Sequence, residues 1–211
     1  MAIFADRVEA GRQLAPLLEP WASPGAVVFG IARGGVVVAA PVARHLGAPL
    51  RAAVVRKLGS PGNEEYAIGA IADSVRVLDA DAVARTRITS TEVAEVEARE
   101  RAELARRRGL FGASVADNLA EVTAIVIDDG IATGSTATAA CRSLRARGAA
   151  SVVLAVPVAP ARWEPEVGTV DAYVCPHREH PFWAVGPFYR DFRQTTDAEV
   201  AAALDDDPAS S

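Results

Sequence analysis

Residues that build redox or metal centres are scarce in this chain, which has 2 cysteines, 1 methionine and 3 histidines among 211 residues. Two cysteines cannot form a disulfide framework. Cys141 on an apolar helix stripe and Cys175 after a strand read as reduced interior residues. Cys175, His177 and His180 offer three metal-ligand types around a proline with no fourth partner nearby, so that segment reads as a loop rather than a zinc site. An excess of basic residues is also missing. The net charge of −5 counts against a general nucleic-acid binder, which needs a basic face. No apolar run approaches the roughly 18 to 20 residues of a membrane span. The opening Met-Ala-Ile-Phe-Ala-Asp-Arg has no long apolar core of the secretory kind, so a cytoplasmic protein is expected. No break in composition and no internal repeat divides the chain, and one domain over residues 1–211 is expected. Asp205 to Ser211 reads as a low-complexity tail.

What is present is concentrated in Val122 to Thr136. An apolar, β-branched run suits a strand buried on both faces of a parallel sheet. It ends at Asp128 and Asp129, and a loop from Gly130 to Thr136 leads into a helix with Ala137, Ala140, Cys141 and Leu144 on one face and Gly148 as its stop. Open α/β sheets bind ligands at such strand ends. Glycines let backbone amides approach an anion, the helix N-terminus adds partial positive charge, and Thr133, Ser135 and Thr136 add hydroxyl donors. The carboxylates repel phosphate but accept hydrogen bonds from sugar hydroxyls, so a phosphosugar fits both halves.

The rest of the chain supplies partners for that strand. Asp6 to Glu19 reads as an outer helix with Asp6 as N-cap. Ala26 to Ile31 reads as a buried strand ending in Ala32-Arg33-Gly34-Gly35, followed by a helix to Gly47 in which Pro41 fits best at the first turn. Leu50 to Val55 is a third strand, delivering Arg56 and Lys57. Ala67 to Ala72 and Val75 to Leu78 read as a hairpin joined by Asp73 and Ser74. Thr89 and Glu92 form a capping-box pattern that opens a helix running to about Arg108. That helix has a thin apolar stripe (Val93, Val96, Leu104) and i, i+4 pairs Glu95/Arg99, Glu97/Arg101 and Glu103/Arg107. Ser151 to Val156 and Val170 to Cys175 complete the strands, with a connection from Pro157 to Pro165 between them. Five of the chain's aromatics, drawn from six Phe, three Trp and three Tyr, then fall between Phe182 and Phe192.

The Val122 to Thr136 run resembles the signature of the type I phosphoribosyltransferases, which bind phosphoribosyl pyrophosphate (PRPP): a hydrophobic strand, two acidic residues, then Gly-x-x-Thr-Gly-x-Thr. The resemblance implies a doubly wound α/β fold with a mainly parallel sheet flanked by helices, a helical arm at about residues 80–115 and a small hood at about residues 176–204. It also implies roles. Asp128 and Asp129 hold the ribose 2′ and 3′ hydroxyls, while Gly130, Ile131, Ala132, Thr133, Gly134, Ser135 and Thr136 hold the 5′-phosphate. Arg33, Gly34 and Gly35 correspond to the pyrophosphate loop, with Lys57, and after it Arg56, as the basic residue that reaches pyrophosphate. Phe182 or Trp183 lies near an acceptor base. The implied reaction displaces pyrophosphate from C1′ of PRPP by an acceptor, commonly a base nitrogen. Mg²⁺ is the implied cofactor, carried by PRPP oxygens with Asp128 and Asp129 as its only candidate protein contacts. Arg33, Lys57, Asp128 and Asp129 form the implied catalytic set, and a homodimer is compatible with it. Two other readings start from the same residues. A PRPP or nucleotide sensor would keep the loop without turnover; a phosphorelay receiver would use an acidic strand end but has no need of the Gly130 to Thr136 loop.

Overall fold

The computed structural model describes residues 2–111 and 119–206. Residues 112–115 of the expected arm and 207–211 of the expected tail therefore lie outside the described residues.

Helix α1 (Arg7–Leu14) begins where the Asp6 carboxylate accepts the Glu9 amide at 2.8 Å, the cap expected from sequence. It stops short of Glu19. Residues Ala15–Trp21 tighten into a 3₁₀ turn with Pro20 inside it, because each proline removes a donor from the α-helical ladder. Strand β1 (Ala26–Ile31) leads directly into α2 (Gly34–Leu46), which closes on a left-handed Gly47. Pro41 is inside α2 rather than at its first turn. The helix tolerates it beneath α1, which approaches so closely that a Cβ on Gly11 would fall 2.5 Å from the Pro41 ring.

Strand β2 (Leu50–Ala53) ends before Val55, and Arg56 and Lys57 open a separate strand, β3 (Arg56–Ser60). It pairs antiparallel with β4 (Asn63–Ala72), which pairs in turn with β5 (Val75–Leu78). The hairpin read from sequence is thus two strands of a three-stranded sheet. A short helix not anticipated, α3 (Ala80–Thr86), is capped by Asp79. Then comes α4 (Ser90–Leu110), with the expected Thr89/Glu92 capping box formed in both directions.

The remaining elements are β6 (Thr123–Ile127), α5 (Ser135–Ala146), β7 (Ser151–Ala155), β8 (Val158–Pro160), β9 (Ala172–Val174), β10 (His177–Glu179) and α6 (Asp197–Asp205). Five strands form the central sheet in the order β2-β1-β6-β7-β9, all parallel. β6 is its middle strand, and alternation divides its side chains between two cores. Ile125 and Ile127 pack with Val38 and Val42 of α2, whereas Ala124 and Val126 pack with Ala140, Cys141 and Leu144 of α5. With both faces covered, an unbroken apolar run is what such a strand requires. Each fully buried isoleucine contributes about 1.5–3 kcal/mol.

Two smaller units flank the carboxyl edge of this sheet. The segment from Cys175 to His180 is not a loop, since His177–Glu179 pairs in parallel with β8. It supports a hood in which Phe4, Tyr189, Phe182, Phe188 and Phe192 cluster, and both ends of the chain build it: the amides of Ile3 and Phe4 donate to the Phe188 carbonyl at 2.8 and 3.0 Å. The other unit is the three-stranded sheet with α4. Val93 and Val96 pack on Leu58, Ile68 and Ile71, while Arg56–Glu100 (2.6 Å), Arg76–Glu97 (2.9 Å) and Arg108–Asp73 (2.7 Å) tie helix to sheet.

Candidate active site

Asp128 and Asp129 follow the last residue of β6, and the α2 N-terminus lies against them. A Cβ on Gly35 would sit 2.6 Å from the Ile127 carbonyl and 3.0 Å from the Asp128 Cα; one on Gly34 would sit 3.0 Å from the Asp129 carboxyl carbon. Glycine is needed at both positions because the loop after β1 rests directly on the acidic pair. Two stretches far apart in sequence, each at the carboxyl end of a parallel strand, thereby form one surface.

The two aspartates have different surroundings. Asp128 accepts the Asp129 amide at 2.9 Å, and burial together with the neighbouring Asp129 charge holds its carboxyl well above the usual range. Asp129 is gripped from two sides. The Arg7 Nε donates to its Oδ2 at 2.8 Å, with the two side chains 11% and 16% exposed, and the Tyr189 hydroxyl donates to its carbonyl at 2.6 Å. Burial raises the Asp129 carboxyl as well, against the opposing pull of Arg7. The Arg7 guanidinium also donates to the Arg193 carbonyl at 2.9 Å and lies 4.0 Å from the centre of the Phe192 ring.

Beyond the pair, the Gly130 to Thr136 loop is braced by the hood. The Ile131 amide donates to the Val158 carbonyl at 3.0 Å, and Ile131 is buried while Ala132 and Thr133 are exposed. Gly134 caps α5 in the left-handed region, with φ 85°, and Trp163 covers it so closely that a Cβ there would fall 2.4 Å from the indole nitrogen. The indole Nε1 donates to the Thr133 carbonyl at 3.2 Å. Ser135 and Thr136 stand at the start of α5. A cleft of about 370 Å³ opens beside the loop, with Thr133, Ser135 and Thr138 on one wall and Leu78, Asp79 and Asp81 on the other.

The cations are less convergent than their positions in sequence imply. Arg33 lies 3.5 Å from Asp197 at the start of α6. Arg56 donates two hydrogen bonds to Glu100, at 2.9 and 2.6 Å, so its fork is taken up by α4. Lys57 is exposed on β3. In the hood Phe182 stacks on Phe188 at 5.0 Å and Trp183 is 90% exposed; with Pro160, Arg162 and His180 they line a cleft of about 270 Å³. His177 points its ring edge at Phe4, 5.4 Å away, and the Cys175 thiol donates to the His177 carbonyl. Among the described residues no group of three or more His, Cys, Asp and Glu is arranged to hold a metal.

Arg7, Trp163, Tyr189 and Asp197 are site residues that sequence reading did not assign. Arg7 reaches Asp129 across 122 positions, and nothing local to Arg7 announces it. Trp163 sits in what reads as a connection, and Tyr189 reads as hood packing. Asp197 opens α6 behind Thr196, whose capping box with Glu199 was the overlooked signal.

A strand-end acidic pair, a glycine-rich loop entering a helix and a second glycine loop beneath it thus meet at the carboxyl edge of a parallel α/β sheet. The chain belongs to the phosphoribosyl transferase domain family, whose model matches residues 19–192. It is 47% identical over 212 aligned positions to proteins of two Mycobacterium tuberculosis strains, MT0597 and Rv0571c, provisionally named phosphoribosyl transferases; the match covers 97% of this chain and 47% of theirs. The chain therefore spans about half the length of these curated relatives. Among solved structures, TT1426 from Thermus thermophilus is 36% identical with a TM-score of 0.71, over 97% of this chain and 98% of that one.

Proposed function

We propose that this protein transfers the phosphoribosyl group of PRPP to an acceptor of the nucleobase class, with release of pyrophosphate. The observation that carries the reading is the contiguity of Gly34 and Gly35 with Asp128 and Asp129, which puts a loop suited to pyrophosphate beside carboxylates suited to ribose hydroxyls. The Gly130 to Thr136 loop takes the 5′-phosphate through its amides, its hydroxyls and the α5 N-terminus. Arg33 and Lys57 attract the pyrophosphate, with Arg56 contributing once it leaves Glu100. The base enters the cleft by Phe182 and Trp183.

Catalysis on this reading is positional and electrostatic. As the C1′–O bond breaks, positive charge grows on the ribose and negative charge on the leaving group. The carboxylates fix the ring near its developing charge, the cations receive the pyrophosphate, and α4 with its sheet excludes water. The paired carboxylates are hard oxygen donors of the kind magnesium takes, and with no three-residue cluster among the described residues the ion would be shared with ligand oxygens. When bound, Mg²⁺ would neutralise pyrophosphate charge. Both cysteines are free, which supports the cytoplasmic setting we assign, and no described helix is long and apolar enough to cross a membrane. A homodimer is part of the proposal.

The test is pyrophosphate release from PRPP and Mg²⁺ against a panel of purine and pyrimidine bases. Release dependent on one base supports the transferase. Tight PRPP binding with no release against any base supports the sensor, a reading favoured by one observation, the engagement of Arg56 by Glu100.

A further inference from the structure

Trp163 lies outside the Gly130 to Thr136 loop in sequence and against it in space. Its indole Nε1 donates to the Thr133 carbonyl at 3.2 Å, and a Cβ on Gly134 would fall 2.4, 2.5 and 2.6 Å from three atoms of the ring. The indole is itself held. The Trp163 amide donates to the Pro160 carbonyl at 3.0 Å, its carbonyl accepts from the Arg178 guanidinium of β10 at 2.6 Å, and its ring meets Tyr173 edge-on at 5.2 Å. At the other end of the loop the Ile131 amide donates to the Val158 carbonyl of β8 at 3.0 Å. The short β8 and β10 pair therefore fixes the loop twice, once through backbone and once through the indole that follows β8.

The peptide between Thr133 and Gly134 is trans, so its carbonyl and its N–H point in opposite directions. With the carbonyl turned to the indole, the Gly134 N–H is turned away from it. Gly134 is buried, yet its N–H donates to no acceptor among the described residues, although buried backbone donors are nearly always paired. It stands at the N-cap of α5, where an unpaired amide is a donor for an anion. We infer that Trp163 is a positioning residue: by fixing the Thr133 carbonyl, it holds the Gly134 N–H aimed at a phosphate monoester bound in the loop. This role rests on the PRPP reading, in which that group is the 5′-phosphate, and it belongs to a residue 30 positions beyond Thr133.

Trp163→Phe keeps an aromatic cover over Gly134 and removes the Nε1 donor. Ribose 5-phosphate, PRPP with Mg²⁺ and pyrophosphate with Mg²⁺ are titrated separately into the full chain by calorimetry. Trp163→Phe is expected to weaken ribose 5-phosphate and PRPP about three- to tenfold and to leave pyrophosphate within about twofold. A purely structural indole would lower the thermal midpoint without choosing between the ligands. A second measurement needs no change at Trp163. Trp21, Trp163 and Trp183 each give one indole N–H signal by NMR, assigned through Trp21→Phe and Trp183→Phe. Adding ribose 5-phosphate to the wild-type chain is expected to shift the Trp163 signal and leave that of Trp21 in place. The proposal is overturned if Trp163→Phe binds ribose 5-phosphate as wild type does, if it weakens pyrophosphate equally, or if the Trp163 signal stays fixed at saturating ribose 5-phosphate. Wild-type protein that binds neither ribose 5-phosphate nor PRPP overturns the PRPP reading and this proposal with it, a result seen before any variant is made.

Discussion

The sheet around β6 and the unit around α4 are held together by opposite means. In the first, Ile125, Ile127, Ala140 and Cys141 are at most 1% exposed, and burial pushes the Cys141 thiol up to about 12, the mark of an apolar interior. In the second, three buried residues, Val93, Val96 and Leu104, serve a helix of 21 residues, and the remaining attachment is ionic. Glu97 accepts from Arg76, Glu100 from Arg56, and Arg108 pairs with Asp73, while the pairs of Glu97 with Arg101 and of Glu103 with Arg106 and Arg107 brace the helix internally. Apolar packing is lost steeply when atoms separate. The pairs between α4 and the sheet are part-buried, with Arg76 47% and Arg56 25% exposed, so water still screens them. The site therefore stands on an apolar platform, beside a cover whose helix is joined to its sheet largely by charge, while Leu104 of that helix and Ala70, Ala72 and Val77 of that sheet pack into the platform's cores.

The largest expected effect breaks the platform. Ile127→Ala removes packing directly beneath Asp128 and should cost about 2–5 kcal/mol, read by chemical denaturation, with all probes losing structure together. A loss confined to α4 would show that the platform is not the cooperative unit. Next is Asp128→Asn, expected to weaken PRPP binding by about 1.5–3 kcal/mol in titration calorimetry. The same substitution sharpens the comparison through pH. The folded Asp128 carboxyl titrates above its usual position because of burial and Asp129, so folding favours its protonated form. That stability is complete below the unfolded value of about 3.9 and is lost as pH rises through the folded value. Ligand-free Asp128→Asn should therefore be more stable than wild type at alkaline pH, with the difference closing on acidification; a difference that grows on acidification would contradict this sign.

Arg33→Ala and Lys57→Ala should each weaken pyrophosphate more than ribose 5-phosphate, and equal losses for both ligands would remove these residues from a dedicated pyrophosphate site. Smallest of all is Glu97→Gln, which loosens two partly exposed pairs and should cost about 1 kcal/mol or less, diminishing further at high salt. Equal costs at low and high salt would mean that packing, not charge, secures α4.

The sequence carried the platform well because its signals are local. The β-branched run of β6, the 3.6-residue stripe of α5 and the Thr89/Glu92 box each specify an element through neighbours a few residues away. It carried the cover poorly. Arg56 and Lys57 read as a strand end because the run before them is apolar, yet β3 is fixed by pairing with β4, a tertiary choice that local propensity does not record. The same holds for β10, where Pro176 and two histidines read as loop but a parallel partner in β8 makes a strand. Within the candidate site, the placement of Asp128, Asp129 and the following loop between a strand end and a helix start was legible from residue type and order. Arg7 was not, because its role depends on the hood bringing the first helix to the end of the central strand.

Hydrogen exchange over the whole chain, with and without PRPP and Mg²⁺, tests the central claim most directly. The account predicts slower exchange on ligand binding in residues 130–136 and 33–35, a smaller slowing in α4 as the cover closes, and no change in β6, already protected by burial. Unchanged exchange in both loops at saturating PRPP would contradict the assignment of this strand end as the PRPP site.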